Sequence, residues 1–326
     1  MRQKWISAVL MMVAMALLGP ATVQGQAFPT KPLRLILPYP PGSALDLAAR
    51  ALAQEMSKGW GQAVVPENRP GASSIIAGEA CAKAPADGYT FCMVSRATLS
   101  FVPHFYKRIP FDPAKDFEAI ANLFDLVSVF TVHPSVQANS VEELIALARA
   151  KPGTLSFGSV GDGTPPHIVV EWSKKNRNVD MVHVPDKGAA PLAQAMMTGE
   201  IQLSYVSAGT VLGSIRGGKL KALAVSGDKR SPLFPGIPTL GDAGLAGVDG
   251  RIWFGLVSAA GTPSAAVDAI YNEIVRIFSI DSFREQRIVS QGLEPALMGP
   301  QEFGRFLTAD REVAGEIVRA LGIRLE

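Results

Sequence analysis

Three glycine-containing loops, each placed between a predicted strand and a predicted helix, carry residue types suited to binding an anion. The first covers 38–46 (PYPPGSALD), the second 159–165 (SVGDGTP) and the third 185–190 (PDKGAA). Glycine lets the backbone approach a ligand, and the N–H groups of a helix's first turn have no partner within the helix. Each loop alone is also typical of a structural turn, but the three together predict a clamp for anionic oxygens.

Two spacings within these loops predict how the helices behind them begin. Ser43 and Asp46 have the spacing of a capping box, in which side chains bond the backbone N–H groups at the helix start. Thr164 followed by Pro165 is the pattern of an N-cap residue and a first helical residue, where a missing N–H costs nothing. Both helices are therefore expected to begin at the edge of the ligand site.

Motifs for catalysis and for cofactors are absent from the sequence. It contains no G-x-S-x-G, no Walker lysine motif, no H-E-x-x-H and no complete dinucleotide fingerprint. His167 and Glu171 lie four positions apart on a predicted helix, which could seat a metal, but without a third ligand this spacing favours a surface or capping contact. We therefore expect a binding protein with no catalytic residue, no metal and no cofactor.

The composition narrows the classes of partner. The chain has 326 residues, 48% hydrophobic and 18% charged, which suits two ordinary domains with substantial cores. Its 31 basic and 29 acidic residues nearly balance, and the two surplus positive charges, Arg2 and Lys4, lie at the extreme N-terminus. Because there is no basic run, we expect no binding of nucleic acid or of anionic lipid headgroups.

The first 27 residues have the pattern of a secretory signal peptide. A charged start precedes an apolar run at 6–18, then a helix-breaking Gly19-Pro20, with Gly25 and Ala27 at the cleavage positions. The alternative is a membrane anchor, but the run is shorter than the roughly 20 apolar residues that span a bilayer. We expect cleavage before Phe28 and a soluble periplasmic product that does not insert into the membrane.

From residue 31 onward, short apolar runs alternate with amphipathic stretches, which is the pattern of an α/β fold with largely parallel sheets. Strands are predicted at 33–37, 64–65, 89–94, 154–157, 181–184, 201–205, 220–225 and 252–257, and helices at 43–58, 140–150, 164–172, 262–280 and 300–321. Two sheets with crossovers at 119–132 and 252–257 predict two lobes with a ligand cleft between them. The first lobe comprises 28–125 and 253–326, and the second comprises 126–252.

The two cysteines, Cys81 and Cys92, lie on a predicted helix end, turn and strand. In an oxidising compartment they could form a disulfide across that corner, or they could be two small buried apolar side chains. Their number and spacing do not suit a zinc site.

The chain resembles the solute-binding proteins of the tripartite tricarboxylate transporter family, the TctC or Bug type. The matching segments run through nearly all of the mature chain: 28–32 (FPTKP), 40–42 (PPG) with Asp46, 67–72 (ENRPGA), 84–89 (APADGY), 106–107, 111–117 (FDPAKDF), 161–164 (GDGT) with His167, and 184–188 (VPDKG). The resemblance implies a two-lobed "Venus flytrap" with two mixed sheets flanked by helices. It also implies that the protein closes on a small carboxylate and delivers it to integral membrane subunits, with one carboxylate held at the first two loops.

Three departures from the family pattern bear on the ligand. Asp186 stands where relatives usually have an aromatic residue, and Tyr205-Val206 stands where a Phe-Asp pair is common. Arg96 replaces a residue that is usually small; it could contact a distal carboxylate, turn to solvent or pair with Asp186. A ligand named from relatives is therefore not transferred to this chain.

The combined hypothesis is a monomeric periplasmic binding protein for a small organic mono- or dicarboxylate. An aromatic ligand is suggested by Tyr39, Phe101, Tyr205 and Trp253. The alternatives are a sensory binding protein that docks on a membrane signalling protein and, more remotely, a secreted hydrolase. The expected ligand-binding residues are Tyr39, Pro41, Gly42, Ser43, Ala44, Asp46, Ser95, Arg96, Thr98, Ser159, Asp162, Gly163, Thr164, His167, Asp186, Lys187, Gly188, Ala189, Tyr205 and Ser207. Backbone and hydroxyl donors dominate this set, and Arg96 and Lys187 supply positive charge.

Overall fold

A computed structural model describes residues 28–161, 163–186, 188–227, 229–245, 247 and 250–322. The predicted signal segment at 1–27 lies outside the described residues, as do the predicted site residues Asp162 and Lys187.

The described chain alternates strands and helices from end to end. The strands are β1 (Leu33–Leu37), β2 (Val64–Asn68), β3 (Thr90–Ser95), β4 (Phe117–Leu126), β5 (Ser128–Val132), β6 (Ser156–Ser159), β7 (Val182–Pro185), β8 (Leu203–Ser207), β9 (Lys221–Val225), β10 (Ile252–Ala259) and β11 (Leu293–Met298). The helices are α1 (Ala44–Trp60), α2 (Ile75–Ala82), α3 (Val102–Phe105), α4 (Val141–Ala150), α5 (Pro165–Arg177), α6 (Ala189–Thr198), α7 (Ala208–Arg216), α8 (Ser264–Phe278), α9 (Asp281–Phe283) and α10 (Pro300–Leu321). Each predicted strand and helix overlaps one of these elements.

The strands form two mixed sheets, as the family resemblance implies. The expectation of largely parallel sheets from the sequence pattern is wrong, because β4, β5 and β10, which lie at the crossings between the sheets, pair antiparallel with their neighbours. The six-stranded sheet has the order β11-β4-β10-β3-β1-β2, with β1 parallel to β2 and β3, and β10 antiparallel to β3 and β4. The five-stranded sheet has the order β7-β6-β8-β5-β9, with β6 parallel to β7 and β8, and β5 antiparallel to β8 and β9. Helices flank both sheets, so the predicted α/β class is confirmed.

The chain passes from one sheet to the other over very short connections. β4 of the six-stranded sheet ends at Leu126 and β5 of the five-stranded sheet begins at Ser128, so only Val127 separates them. The return occurs just before β10, and the six-stranded sheet is therefore built from both ends of the described chain. Short connections of this kind place the end of a strand in one sheet next to the start of a strand in the other.

Local sequence signals explain where the helices begin and which faces they bury. The Ser140 hydroxyl accepts a hydrogen bond from the Glu143 N–H at the start of α4, as the capping pattern predicts. The apolar face of α1 buries Ala48, Leu52 and Met56 against the six-stranded sheet. Among the described helices, none combines the length and apolar character needed to cross a bilayer.

The last helix, α10, packs against the cores of both sheets. Phe303, in its first turn, packs in the same apolar cluster as Trp253 of β10. Its C-terminal half instead places Ile317 and Val318 in the cluster that surrounds Phe130 of the five-stranded sheet. The helix therefore joins the two cores as well as extending the first one.

Cys81, on α2, and Cys92, on β3, are joined by a disulfide bond with a Cα–Cα distance of 6.1 Å. Both side chains are fully buried in the cluster between α2 and the six-stranded sheet. The bond closes a loop over a sequence separation of 11 residues.

Replacing both cysteines (Cys81→Ala with Cys92→Ala) should lower the free energy of unfolding by about 3 kcal/mol, because the cross-link restricts a short loop in the unfolded chain. Urea unfolding of the mature chain measures the effect. A reductant should lower the stability of the wild type toward that of the double variant and leave the variant itself unchanged. Equal stability of wild type and variant under oxidising conditions would contradict this.

Candidate ligand-binding site

A cavity of about 350 Å³ is lined by residues from both sheets and from the segment that connects them. Five of the predicted site residues line it: Tyr39, Ser95, Arg96, Gly163 and Thr164. Phe101, noted in the sequence as a candidate aromatic, also lines it. Its volume is at the lower end of the range of small-molecule sites in proteins.

The cavity also has wall residues that the sequence analysis did not select, and most of them are apolar. They include Leu45, Val102, Phe105, Ile168, Val169, Ile252 and Phe254, together with Ser73, Ser74 and Arg251. The apolar ones could be predicted only as core positions of their helices and strands. Nothing in the periodicity distinguishes a side chain that faces a cavity from one that faces the core.

The first predicted loop is braced from inside by Asp46. The Ser43 hydroxyl accepts from the Asp46 N–H (3.2 Å), and the Asp46 carboxylate accepts from the Gly42 N–H (2.8 Å). Arg50 Nε and Asn68 Nδ2 donate to the same carboxylate at 2.9 and 2.7 Å. The Gly42 N–H, expected as a ligand donor, therefore binds Asp46, and Asp46 shapes the loop.

The first turn of α1 reaches the cavity at Leu45. The first intrahelical hydrogen bond runs from the Leu47 N–H to the Ser43 carbonyl, and the Asp46 N–H donates to the Ser43 hydroxyl, so Ala44 and Leu45 precede both bonds. Leu45 lines the cavity. The positive end of the α1 dipole thus lies at the cavity wall, where a carboxylate would be stabilised.

In the second predicted loop, two backbone N–H groups donate hydrogen bonds to nearby side chains of the same segment. The Gly161 N–H donates to Ser159 Oγ (3.0 Å) and the Gly163 N–H donates to His167 Nδ1 (3.0 Å). Thr164 occupies the N-cap position, but its hydroxyl donates to the Gly161 carbonyl (2.5 Å) and does not cap the helix. The first two residues of α5 are prolines, which have no N–H. This loop therefore offers a ligand fewer backbone donors than expected.

His167 makes the capping contact that the sequence favoured over a metal site. Its ring also stacks on His183 with the ring centroids 4.4 Å apart, and His183 stacks in turn on Phe157 at 4.7 Å. His183 Nε2 lies 2.7 Å from Ser159 Oγ, and Glu171 pairs with Lys174. The described residues contain no group of three side chains arranged to hold a metal ion.

Arg96 pairs with Asp310, a residue that the sequence analysis did not select. Its Nη2 lies 2.8 Å from Asp310 Oδ1, and its Nη1 donates to the Arg251 carbonyl at 2.8 Å. The side chain is only 7% exposed. The expectation that Arg96 turns to solvent is therefore wrong. The partner is missed because Asp310 lies on α10, far away in the sequence.

Two of the aromatic residues suggested for the ligand are instead structural supports. Tyr205 is fully buried and donates its hydroxyl to the Gly250 carbonyl at 2.6 Å. Trp253 is also fully buried, and its Nε1 donates to Asp310 Oδ2 at 2.9 Å. Gly250 lines the cavity with a positive φ of 64°, and a Cβ there would lie 2.3 Å from the Tyr205 hydroxyl. Tyr205 therefore fixes the cavity wall from behind.

The remaining predicted residues that the structure describes are not among those that line this cavity. Thr98 is buried with its hydroxyl 3.1 Å from that of Ser95, and Ser207 occupies the position before α7. In the third loop, Gly188 precedes α6 and Ala189 begins it, while the Asp186 N–H donates to the Ser159 carbonyl. Pro41 is exposed beside the first loop.

Tyr39 presents a buried hydroxyl at the cavity wall. Its Oη is inaccessible to solvent and makes no hydrogen bond of normal geometry with the described residues. Burial raises the pKa of this phenol strongly, and the neighbouring Ser95 hydroxyl lowers it by less. The ring packs edge-on against Phe254 with the centroids 5.9 Å apart. Tyr39 is therefore a neutral hydroxyl donor held at a fixed position.

A strained segment also borders the cavity. Ala72, Ser73 and Ser74 have φ values of 46°, 52° and 70°, and the two serines line the wall. Left-handed conformations cost non-glycine residues roughly 1–2 kcal/mol each, and such strain is concentrated at ligand-binding sites. The residue types at 72–74 give no hint of this conformation.

Comparison with known proteins identifies one family. The model for tripartite tricarboxylate transporter family receptors (TctC) matches residues 48–323. A UPF0065 protein of Bordetella pertussis is 30% identical over 308 residues, covering 94% of this chain and 95% of that protein. A TctC solute binding protein from Polaromonas superposes with a TM-score of 0.80 at 28% identity, over 90% of this chain and 99% of that chain. Rpa4515 of R. palustris, solved with adipate, gives a TM-score of 0.75 at 29% identity, over 91% and 99%. These similarities confirm the resemblance found in the sequence.

The bracing by Asp46 predicts a pH-dependent contribution to stability. Burial alone would raise the pKa of Asp46, but the hydrogen bonds from Arg50, Asn68 and the Gly42 N–H, with the charge of Arg50, together lower it. A lowered pKa in the folded state means that the stabilisation is fully present above about pH 4 and is lost as the pH falls through the folded-state value. Asp46→Asn should therefore cost about 1–3 kcal/mol of unfolding free energy at pH 7.

Urea unfolding at pH 7 and pH 3 measures this difference, which should shrink at the lower pH. Asp268→Asn, at an exposed position of α8, is the control and should change stability little at either pH. A loss that is the same at both pH values, or the same for both variants, would contradict the role of Asp46.

Proposed function

The chain belongs to the family of tripartite tricarboxylate transporter receptors, which are solute-binding proteins and not enzymes, and we propose that it captures a small organic carboxylate for a tripartite tricarboxylate-type transporter. Receptors of this family work with membrane transporter components. The carboxylate would bind in the cavity between the two sheets.

One observation carries this proposal: the cavity places a helix N-terminus and a buried hydroxyl donor on the same wall. Ala44 and Leu45 begin α1, and the Tyr39 hydroxyl lies in the loop just before that helix. Both features favour negative charge, since a helix start attracts anions and a hydrogen bond to a carboxylate is stronger than a neutral one. A carboxylate at this wall would satisfy the Tyr39 hydroxyl.

The arrangement of the cavity also supports closure on the ligand. Its wall takes Tyr39 and Ser95 from the six-stranded sheet and Gly163, Thr164 and Ile168 from the five-stranded sheet. A ligand that touches both sides favours the state in which the two lobes, 28–125 with 253–326 and 126–252, are closed. The crossings at Val127 and near Ile252 would act as the hinge.

The proposal also includes the compartment, the oligomeric state and the membrane partner of the protein. The signal-peptide pattern of residues 1–27 and the family support export to the periplasm, where the mature chain would act as a monomer. Delivery to a transporter and docking on a membrane sensor would use the same pocket. Capture of membrane proteins with and without the ligand would distinguish these two partners.

Gly42→Val should weaken carboxylate binding at least tenfold while the fold remains. Gly42 has a φ of 82° with open space around it, so valine is disfavoured by its backbone conformation and not by a clash. Rebuilding this turn would move Tyr39 and the start of α1. A thermal-shift panel of aliphatic, amino and aromatic carboxylates identifies the tightest ligand, and calorimetry then gives its affinity.

Gly261→Val is a matched control, because Gly261 has a φ of 81° in equally open space at the far end of β10 from the cavity. Both variants should lose similar stability, but only Gly42→Val should lose binding. If the two bind equally well, the first loop does not form part of the site. If no carboxylate raises the melting temperature, carboxylate capture itself is wrong.

A further inference from the structure

We propose that the ligand is a monocarboxylate with a hydrophobic body, whose carboxylate binds at Tyr39 and the start of α1 and whose body fills the apolar part of the cavity. This proposal rests on the proposed function and narrows its ligand class. It separates this chain from a receptor for short dicarboxylates.

The first support is the character of the wall away from Tyr39. Phe101, Val102 and Phe105 form one side of the cavity, and Ile168 and Val169 of α5 form another. Each of these side chains is at most 7% exposed, and the surface they offer to the cavity is apolar. Burying a hydrocarbon body against such a surface is favourable by about 25 cal/mol per Å², whereas burying a second carboxylate there costs free energy.

The second support is that each positive charge on the wall has a protein carboxylate near it. Arg96 and Arg251 are the only charged side chains that line this cavity in the described part of the chain. Arg96 is held by Asp310 at 2.8 Å, and Arg251 Nε lies 4.0 Å from Asp125 Oδ2. A second carboxylate would have to compete with a protein carboxylate for either guanidinium group, at a cost in desolvation.

The third support is the small number of backbone N–H donors that the second loop offers to a ligand. The described N–H groups of Gly161 and Gly163 bond within the second loop, and the two prolines at the start of α5 donate none. The Tyr39 hydroxyl remains as a fixed donor on the wall. One carboxylate can be satisfied by this hydroxyl and the first turn of α1, which is the arrangement that a monocarboxylate requires.

Hexanoate and adipate provide the most direct test, because they share a six-carbon chain and differ only in whether the far end carries a second carboxylate. The probes are hexanoate, benzoate and 3-phenylpropionate against adipate and malate, with hexanamide as the uncharged analogue. Isothermal titration of the mature chain should give at least tenfold tighter binding of hexanoate, or of an aromatic monocarboxylate, than of adipate. Hexanamide should bind more weakly than hexanoate.

Two variants assign the two ends of the ligand. Tyr39→Phe keeps the ring against Phe254 and removes the hydroxyl, so it should weaken monocarboxylate binding about tenfold and reduce the preference for hexanoate over hexanamide. Val102→Thr, a nearly isosteric change on the apolar side of the wall, adds a hydroxyl there and should weaken hexanoate without weakening adipate. Tyr89→Phe, at a tyrosine near the N-terminal segment, is the control and should leave both affinities unchanged.

The outcomes separate this inference from the proposed function. Tighter binding of adipate or malate than of every monocarboxylate would overturn the inference and leave carboxylate capture standing. Preference for hexanamide over hexanoate, or binding of none of the probes, would overturn both. Monocarboxylate binding that is unchanged in both Tyr39→Phe and Val102→Thr would show that the ligand does not occupy this cavity, which also overturns the inference.

Discussion

The buried carboxylate of Asp310 is the interaction on which the rest of the structure depends. It accepts hydrogen bonds from Ser100 (2.6 Å) and from the Trp253 indole (2.9 Å), and it pairs with Arg96 (2.8 Å). These partners belong to the segment after β3 and to β10, while Asp310 itself belongs to α10. Removing one member of a buried ion pair leaves an uncompensated charge, which typically costs 3–5 kcal/mol, so these elements must keep their relative positions.

The same interaction sets the chemistry of the cavity. Arg96 reaches the wall paired with Asp310, and its hydrogen bond to the Arg251 carbonyl fixes the segment that connects the five-stranded sheet to β10. The guanidinium therefore contributes shape and polarity but little net charge. What remains for an anion is the N-terminal turn of α1, which Asp46 holds in place, and the Tyr39 hydroxyl. The ligand site is thus polar at one end and apolar over most of its wall.

Much of the fold can be predicted from the sequence, because local signals determine it. The 2-residue and 3.6-residue periodicities place the strands and helices, and the spacing of Ser140 with Glu143 and of Ser43 with Asp46 places helix starts. Contacts between distant residues cannot be predicted in this way. The pairing of Arg96 with Asp310 depends on how α10 packs, and the left-handed turn at Ser73 and Ser74 depends on tertiary contacts. For the same reason, Gly42 and Tyr205 belong to the site's framework and not to the donor set expected from the sequence.

The central claim is that a carboxylate binds between the two sheets, at Tyr39 and the start of α1. The most direct test is a crystal structure of the mature chain with its tightest monocarboxylate. We expect one carboxylate oxygen within about 2.5–3.0 Å of Tyr39 Oη, with the body of the ligand between Phe101 and Ile168. A ligand whose carboxylate lies on Arg96 or outside this cavity, with Tyr39 Oη still without a partner, would contradict it.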